Sequence, residues 1–574
     1  MLTVSQPGTD VLVAARNWLA EDPDPQTRRE LSALLETAEQ GDPVARAELA
    51  DRFDRGLQFG TAGLRGAMAA GPNRMNRVVV TRAAAGLAAY LTRHGGQRVV
   101  VGYDARHHSR TFAEDTAAVL IGAGLQASLL PRALPTPVLA FAIRQLAADA
   151  GVMVTASHNP AADNGYKVYL GDGVQIVPPT DGEIAAAIAA VGPLAGVPRP
   201  AGGWTTLGEE VLEAYLARAA SVPLPDTPRD VAIAYTPMHG VGWDALLAAF
   251  ARAGFPVPLV VAEQAEPDPD FPTVPFPNPE EPGALDLVMD LARRSDADLA
   301  IATDPDADRC AAAVPFPDGW RMLRGDELGA LLATHLSARD PTLAGVFACS
   351  IVSSSLLGRI AAARGLGYAQ TLTGFKWIAR VPGLRYGYEE AIGYCVDPAA
   401  VRDKDGITAA LLLAELAATL KAQGRSFSDV LDDQAREFGL HLTDQLAIRI
   451  SDPVLRDDEM RRLRDDPPRA LGGRSVDRID DLSDGGDGLP PTDGLRFVLA
   501  GSARVVVRPS GTEPKLKCYL EVVEQVTDGD LDSVRAGAQQ AMRAIKADLA
   551  AAFDAPAGPS VPLAQSAPAG REPV

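Results

Sequence analysis

At 574 residues the chain is too long for one hydrophobic core, and at roughly 100–200 residues per domain it predicts about four domains. With 47% hydrophobic and 22% charged residues, disorder cannot describe the body of the chain. A formal net charge of −20 argues against nucleic acid or an anionic membrane as partner, and it requires any phosphate site to be built locally from Arg, Lys, backbone N–H groups or metal.

The first residues, MLTVSQPGTDVLVAARNWLAEDPDP, lack a basic start followed by an apolar run, and no stretch of about 18 uncharged apolar residues occurs elsewhere. Cys310, Cys349, Cys395 and Cys518 are far apart and form no C-x-x-C pair, so neither a zinc site nor a disulfide framework is signalled. A reducing cytoplasm is the expected compartment. Oligomeric state stays open between monomer and homodimer.

In chain order, Gly60-Thr61-Ala62-Gly63-Leu64-Arg65-Gly66 sets an arginine in a glycine-rich loop. From Arg98 to Ser157 the pattern is strand, helix, strand: RVVVGYD, an Ala-rich helical stretch, then GVMVTASHNP. In Thr155-Ala156-Ser157-His158-Asn159-Pro160 a serine follows a buried strand and is held in a turn by Asn-Pro, the way a nucleophile is presented; the same residues also suit a simple turn. No G-x-S-x-G elbow surrounds it, which speaks against a Ser/His/Asp triad. Asn164-Gly165-Tyr166-Lys167 brings a lysine ten positions after the serine.

The same grammar returns at Asp230–Arg309, with DVAIAYTPMHG, VPLVVAE, a helix near Leu285–Arg294 and ADLAIATDPDADR. Between them, Glu266–Pro282 is too rich in proline for helix or central strand and reads as an ordered loop or a linker. Asp304, Asp306 and Asp308 stand at alternate positions just after the apolar strand LAIAT, and three hard oxygen donors on a tight loop suit Mg²⁺. An EF-hand would need glycine sixth and glutamate twelfth, where this chain has Arg309 and Pro315. A solvated acidic turn is the alternative, but three like charges beside a buried strand are costly without a cation.

A third unit runs from Arg324 to Tyr394, with GVFACSIVSSS, YAQTLTG and LRYGYEEAIGY as strand-to-loop passages. Its Glu389 and Glu390 could accept hydrogen bonds from sugar hydroxyls; adjacent side chains do not flank one bond from two faces as a glycosidase pair must. Alternating apolar strands and helices predict parallel sheets buried on both faces, with loops at the carboxyl ends of the strands as the ligand side. Beyond about Leu440 the texture changes: ARVVVRPSGTEPKLKCYLEVVEQ alternates like an antiparallel strand pair, and Asp530–Phe553 reads as an amphipathic helix. Arg508, Ser510, Gly511, Thr512 and Lys515 combine guanidinium, hydroxyls, flexible backbone and ammonium, a recipe for gripping phosphate that also suits a hairpin turn. Asp480–Asp493 and the tail after Pro556 are Gly-, Pro- and Ser-rich and read as mobile.

Taken together, TASHNP, DPDADR, GYEEAIGY and RPSGTEPK resemble the α-D-phosphohexomutase superfamily in order and approximate spacing, over nearly the whole chain. The resemblance implies three related α/β domains with mixed, largely parallel sheets plus a smaller C-terminal α+β domain around a central cleft. The expected boundaries are a helical extension at 1–50, domains at 51–205, 206–323, 324–440 and 441–555, and a disordered tail at 556–574. It implies a phosphoserine at Ser157, Mg²⁺ on that phosphate with Asp304, Asp306 and Asp308, and Lys167 as general base beside Arg65 and His158. Arg309 would hold the phosphoserine or a sugar hydroxyl. Glu389, Glu390, Lys376 of TGFKW and His239 of TPMHG would meet the sugar, and Arg508, Ser510, Gly511, Thr512 and Lys515 the phosphate that is not reacting.

The implied activity is isomerisation of small sugar phosphates through a sugar bisphosphate such as glucose 1,6-bisphosphate, which is both intermediate and activator. The extended N-terminus, TGFKW and GYEEAIGY look most like the branch of bacterial phosphoglucomutases and phosphopentomutases, so glucose 1-phosphate and glucose 6-phosphate are the expected pair. Ala391, where glucose-type loops commonly carry serine, keeps mannose and pentose open. A phosphatase or bisphosphate synthase using the same serine and a non-catalytic sugar-phosphate binder are the rival readings.

Overall fold

The apolar runs become strands because helices cover both faces of the sheets they form. The structure, a computed structural model, describes residues 11–450, 453–486, 488–510, 515–527 and 530–553. Two compact units result, one from residues up to Ala311 with Gly393–Glu415, the other from Ala312–Ile392 with residues from Leu416 onward.

The first unit begins with helices Val11–Glu21, Pro25–Glu39 and Pro43–Phe53. Asp24 and Asp42 cap the second and third by accepting from Gln26 N and Ala45 N, each followed by a proline, whose missing N–H costs nothing at a helix start. Trp18, Leu31, Leu35, Leu49 and Phe53 form their core.

A six-stranded sheet follows, in the order Leu64–Ala67, Asp163–Leu170, Ala150–Val154, Arg98–Tyr103, Gln126–Leu129, Thr205–Thr206. Its centre is parallel, whereas Asp163–Leu170 runs antiparallel to both Ala150–Val154 and Leu64–Ala67. That reversal has a consequence for the site: the chain turns straight back after the serine loop and carries Lys167 alongside it. At Gly63, with φ 74°, a Cβ would lie 1.8 Å from the Tyr166 carbonyl oxygen, so glycine lets the arginine loop close on the same strand. In a second, mixed sheet Ile233–Thr236 lies between Leu259–Val260 and Leu299–Thr303 and pairs with both in parallel.

In the second unit, Val346–Ser350 pairs in parallel with Gly367–Thr371 and Leu384–Glu389. The last sheet is antiparallel, in the order Leu440–Arg449, Lys515–Glu524, Ala503–Pro509, Leu495–Leu499, Arg474–Asp481, Ala470–Leu471. Helix Leu531–Ala552 packs on it through Ala538, Met542, Ile545 and Leu549. Three α/β domains and a C-terminal α+β domain are thus present. Within the stretch expected to be mobile at Asp480–Asp493, Leu482 is buried, and Arg464 pairs with both Asp481 and Asp493 at 2.9 and 2.5 Å.

Candidate active site

Strand Leu299–Thr303 is buried along its whole length, and the chain turns sharply at its carboxyl end, where Ala307 N donates to the Asp304 carbonyl at 2.8 Å. Ala307 takes φ 54° in this turn. The tight bend throws Asp304, Asp306 and Asp308 to one side, so that one carboxylate oxygen of each lies within 4.8 Å of the others, all three residues buried. Strand Ala150–Val154 ends at the serine turn, and Ser157 Oγ donates to Asp304 Oδ2 at 2.5 Å.

Cations close the cluster. Lys167 Nζ donates to Asp306 Oδ2 at 2.7 Å and Asp308 Oδ2 at 3.0 Å. Lys404 Nζ lies 3.2 Å from the same Asp308 oxygen and 3.4 Å from Asp403. Thr136 Oγ1 adds a donor to Asp306 Oδ2 at 2.6 Å. Arg309 donates its backbone N–H to Asp304 Oδ1 at 3.1 Å, and its Nε stands 3.9 and 3.8 Å from Asp304 and Asp308.

These neighbours split the acids. Burial, then the charges of Asp306 and Asp308, push Asp304 well above the usual carboxylate range. Burial also opposes ionisation of Asp306, but the Lys167 ammonium and its hydrogen bond outweigh it and hold that carboxyl far below the usual range. For Lys167 burial works against the charge, and Asp306 with Asp308 reverses the balance, so its proton is held more tightly than usual. Asp306 Oδ1 and Asp308 Oδ1 are buried and have no hydrogen-bond partner among the described residues. Two open oxygens in a set of three hard-donor carboxylates fit Mg²⁺, which prefers carboxylate oxygen.

Of the other expected residues in this unit, Arg65 reaches the serine turn through Nη1 to Asn159 Oδ1 at 3.0 Å. Burial lowers the Arg65 pKa, with Asp306 opposing. His158 is half-buried in the turn itself. His239 is buried, with Nε2 2.8 Å from Thr273 Oγ1, and its turn touches the acidic loop through Val241 N donating to the Pro305 carbonyl at 2.8 Å. Burial lowers the His239 pKa.

In the second unit, Lys376 lies on the short helix Phe375–Ile378, and Glu389 ends strand Leu384–Glu389. Glu390 follows, its Oε2 accepting from Ser350 Oγ and Ser353 Oγ, each at 3.0 Å. Arg508 is near the end of strand Ala503–Pro509 and Lys515 begins Lys515–Glu524; Ser510 is buried and donates its N–H to the Lys515 carbonyl at 2.9 Å. Gly511 and Thr512 lie outside the described residues.

Lys404 and Thr136 escaped sequence reasoning. The signal for Lys404 was its setting in Asp403-Lys404-Asp405-Gly406, a lysine between two acids where a helix starts. Asp405 Oδ1 caps that helix by accepting from Ile407 N and Thr408 N, both at 3.1 Å. At Gly406 a Cβ would stand 2.3 Å from the Arg309 carbonyl oxygen, so glycine alone allows this loop to reach the acidic one. Thr136 had no local signal.

Four family models match the chain in order: phosphoglucomutase/phosphomannomutase alpha/beta/alpha domain I over residues 56–193, domain II over 213–315, domain III over 324–438, and the C-terminal domain over 458–536. A curated Haemophilus influenzae protein named "Probable phosphomannomutase" is 47% identical over 455 residues, 78% of this chain and 93% of its own length. The phosphoribomutase of Saccharomyces cerevisiae is 36% identical over 577 residues, 88% of this chain and 91% of its own. Among solved structures, a phosphoglucomutase/phosphomannomutase family protein from Burkholderia thailandensis shares the fold, with TM-score 0.64 at 21% identity over 85% of this chain and 96% of that one. The chain belongs to the phosphoglucomutase/phosphomannomutase family of the α-D-phosphohexomutase superfamily and is a phosphomutase, an isomerase-type phosphotransferase.

Proposed function

We propose that this phosphomutase interconverts glucose 1-phosphate and glucose 6-phosphate, with Ser157 carrying the phosphoryl group and a bisphosphorylated sugar as intermediate. The observation that carries the reading is the Ser157 hydroxyl held 2.5 Å from one of three clustered, buried carboxylates, with Lys167 on the other two. Asp304, Asp306 and Asp308 would hold Mg²⁺, which when bound supplies charge neutralisation for the phosphoryl group and offsets the carboxylates that keep Lys167 protonated.

Lys167 Nζ would take the proton of the attacking sugar hydroxyl while that oxygen bonds phosphorus and the bond from phosphorus to Ser157 Oγ breaks. Ser157 Oγ takes up one proton as it returns to its hydroxyl form, matching the one Lys167 removed from the sugar hydroxyl, so the transfer leaves no net proton and the amine is neutral again. After the intermediate turns round, the same residues run the transfer in reverse from the other end, and no phosphate is lost. Arg65 and His158 steady the serine turn, and Arg309 the transferring group. Glu389, Glu390, Lys376 and His239 are assigned to the sugar, and Arg508, Ser510, Gly511, Thr512 and Lys515 to the spectator phosphate.

A second reading, with pentose 1-phosphate and 5-phosphate as the pair, is favoured by the yeast relative named phosphoribomutase, aligned over 88% of this chain. The test is a panel of glucose, mannose, glucosamine, ribose and deoxyribose 1-phosphates with catalytic bisphosphate and Mg²⁺, followed for isomer and for inorganic phosphate. Glucose is expected to give the highest kcat/KM without phosphate release. A pentose preference selects the second reading, and steady stoichiometric phosphate release rejects both.

A further inference from the structure

Behind the serine turn, and not used by the transfer chemistry above, lies a buried arginine. Arg106 Nη2 donates to the carbonyls of Ser157 at 2.6 Å and Asn159 at 2.5 Å, and Nη1 to those of Pro160 at 2.8 Å and Asp163 at 3.2 Å. One planar guanidinium therefore holds four carbonyls of a single loop, which a lysine ammonium cannot match. Asp104 stands behind it, with Oδ2 3.5 Å from Nε and Oδ1 accepting the Arg106 N–H at 3.0 Å.

The open face of the guanidinium is covered from the proline-rich segment. The Phe271 ring centre is 4.9 Å from Arg106 Cζ, Phe271 is buried, and the neighbouring Asp270 Oδ1 lies 2.7 Å from His107 Nε2. What is held is strained: Ser157 sits at φ 53°, a left-handed conformation that costs a non-glycine residue about 1 kcal/mol or more and persists only when its surroundings enforce it.

We propose that Arg106, capped by Phe271, is a positioning residue that clamps the Ser157 turn so that the serine oxygen stays aimed at the acidic cluster, and that this is the task of the proline-rich segment. The inference rests on the reading of Ser157 as phosphoryl carrier. A looser turn swings the phosphoryl group away from the sugar and lets water compete for it.

The experiment uses the full chain with Mg²⁺, comparing wild type, Arg106→Lys and Phe271→Leu. For each, phosphoryl occupancy of Ser157 is measured by mass spectrometry after loading with sugar bisphosphate, kcat is normalised to loaded serine, and phosphate released to water is counted per turnover. Arg106→Lys should keep KM within about 2-fold, lose about 100-fold in kcat, and raise the share of phosphoryl groups lost to water about 10-fold or more. Phe271→Leu, which leaves the arginine in place, should move both readouts in the same direction by about 10-fold. A purely structural role would lower the amount of loadable protein and leave kcat per loaded serine and the water share unchanged in both variants, which would overturn the proposal. If wild type itself takes no phosphoryl group on Ser157, the functional reading fails first and takes the clamp's purpose with it.

Discussion

Ser157 Oγ and Asp304 Oδ2 are 2.5 Å apart although 147 positions separate them in the chain, so the hydroxyl and the acidic loop act as one unit. Asp304 would remain tied to the Arg309 N–H without the serine, and Ser157 sits in a turn held by its backbone. Ser157→Ala should therefore fold normally while mutase activity drops about 1,000-fold or more, as for loss of a covalent nucleophile. Thermal unfolding within a few degrees of wild type, with activity measured at saturating bisphosphate, checks both halves; appreciable residual turnover rejects Ser157 as carrier.

Asp306 presents one oxygen to Lys167 and Thr136 and leaves the other, Oδ1, without a hydrogen-bond partner. Asp306→Asn keeps the shape but removes the charge that a cation would meet. The Mg²⁺ concentration for half-maximal activity is expected to rise about 10- to 100-fold, with kcat falling in parallel. Chelation should silence the wild type and added Mg²⁺ restore it. An unaltered Mg²⁺ titration in the variant counts against the acidic loop as the metal site.

How much of this was open to sequence reasoning depends on distance along the chain. Ser157 and the aspartates of DPDADR were legible because a buried strand ending in a polar turn is a local pattern. Lys167 was visible as a lysine near the serine, but its burial was not, since that follows from the antiparallel return of Asp163–Leu170. Arg106 had no local signal, because its carbonyl partners lie 51 to 57 positions away. Lys404 meets Asp308 through a loop made close by Gly406, a packing fact with no periodicity to announce it. The ion pairs from Arg464 to Asp481 and Asp493 were not legible either, because proline and glycine counts do not register them.

In the second unit, Asp326 is buried at the start of helix Gly325–Arg339, and its Oδ1 accepts from Ser354 N at 2.6 Å and Tyr388 Oη at 3.0 Å. Burial, helped by Glu390 and Glu521, pushes its pKa up to about 7. Since an unfolded aspartate titrates near about 3.9, the folded chain binds this proton more tightly, and stability falls as pH rises from about 4 to about 7. Asp326→Asn keeps an acceptor for both donors and cannot ionise. It should match wild type near pH 4 and exceed it at pH 8, by on the order of 4 kcal/mol at most. Hydrogen exchange of helix Gly325–Arg339 across pH 4 to 8 reads this directly; an unchanged pH slope in the variant excludes Asp326 as its source.

Glu521 is the hub of a second buried network in that unit. Its Oε2 accepts from Arg504 Nε at 2.6 Å, and its Oε1 lies 2.7 Å from Ser354 Oγ and 3.1 Å from His441 Nδ1. Burial favours protonation of Glu521, but Arg504 and His441 overcome it and hold the carboxyl well below the usual range. Arg504 also donates to the Ile351 carbonyl at 3.0 Å and to the Ser353 carbonyl, so it fixes the serine loop whose Ser350 and Ser353 hold Glu390. Glu521→Ala strands a buried guanidinium and should cost about 3–5 kcal/mol. Pairing it with Arg504→Met removes both charges and should recover much of that loss, because the penalty belongs to the unpaired ion rather than to the missing bond. Arg504→Met also takes the donor from the Ile351 and Ser353 carbonyls and so loosens the loop that holds Glu390; with Glu390 on the sugar as proposed, the double variant should regain stability yet keep a raised KM for sugar phosphate. Full recovery of KM together with stability would separate the Arg504 network from sugar recognition.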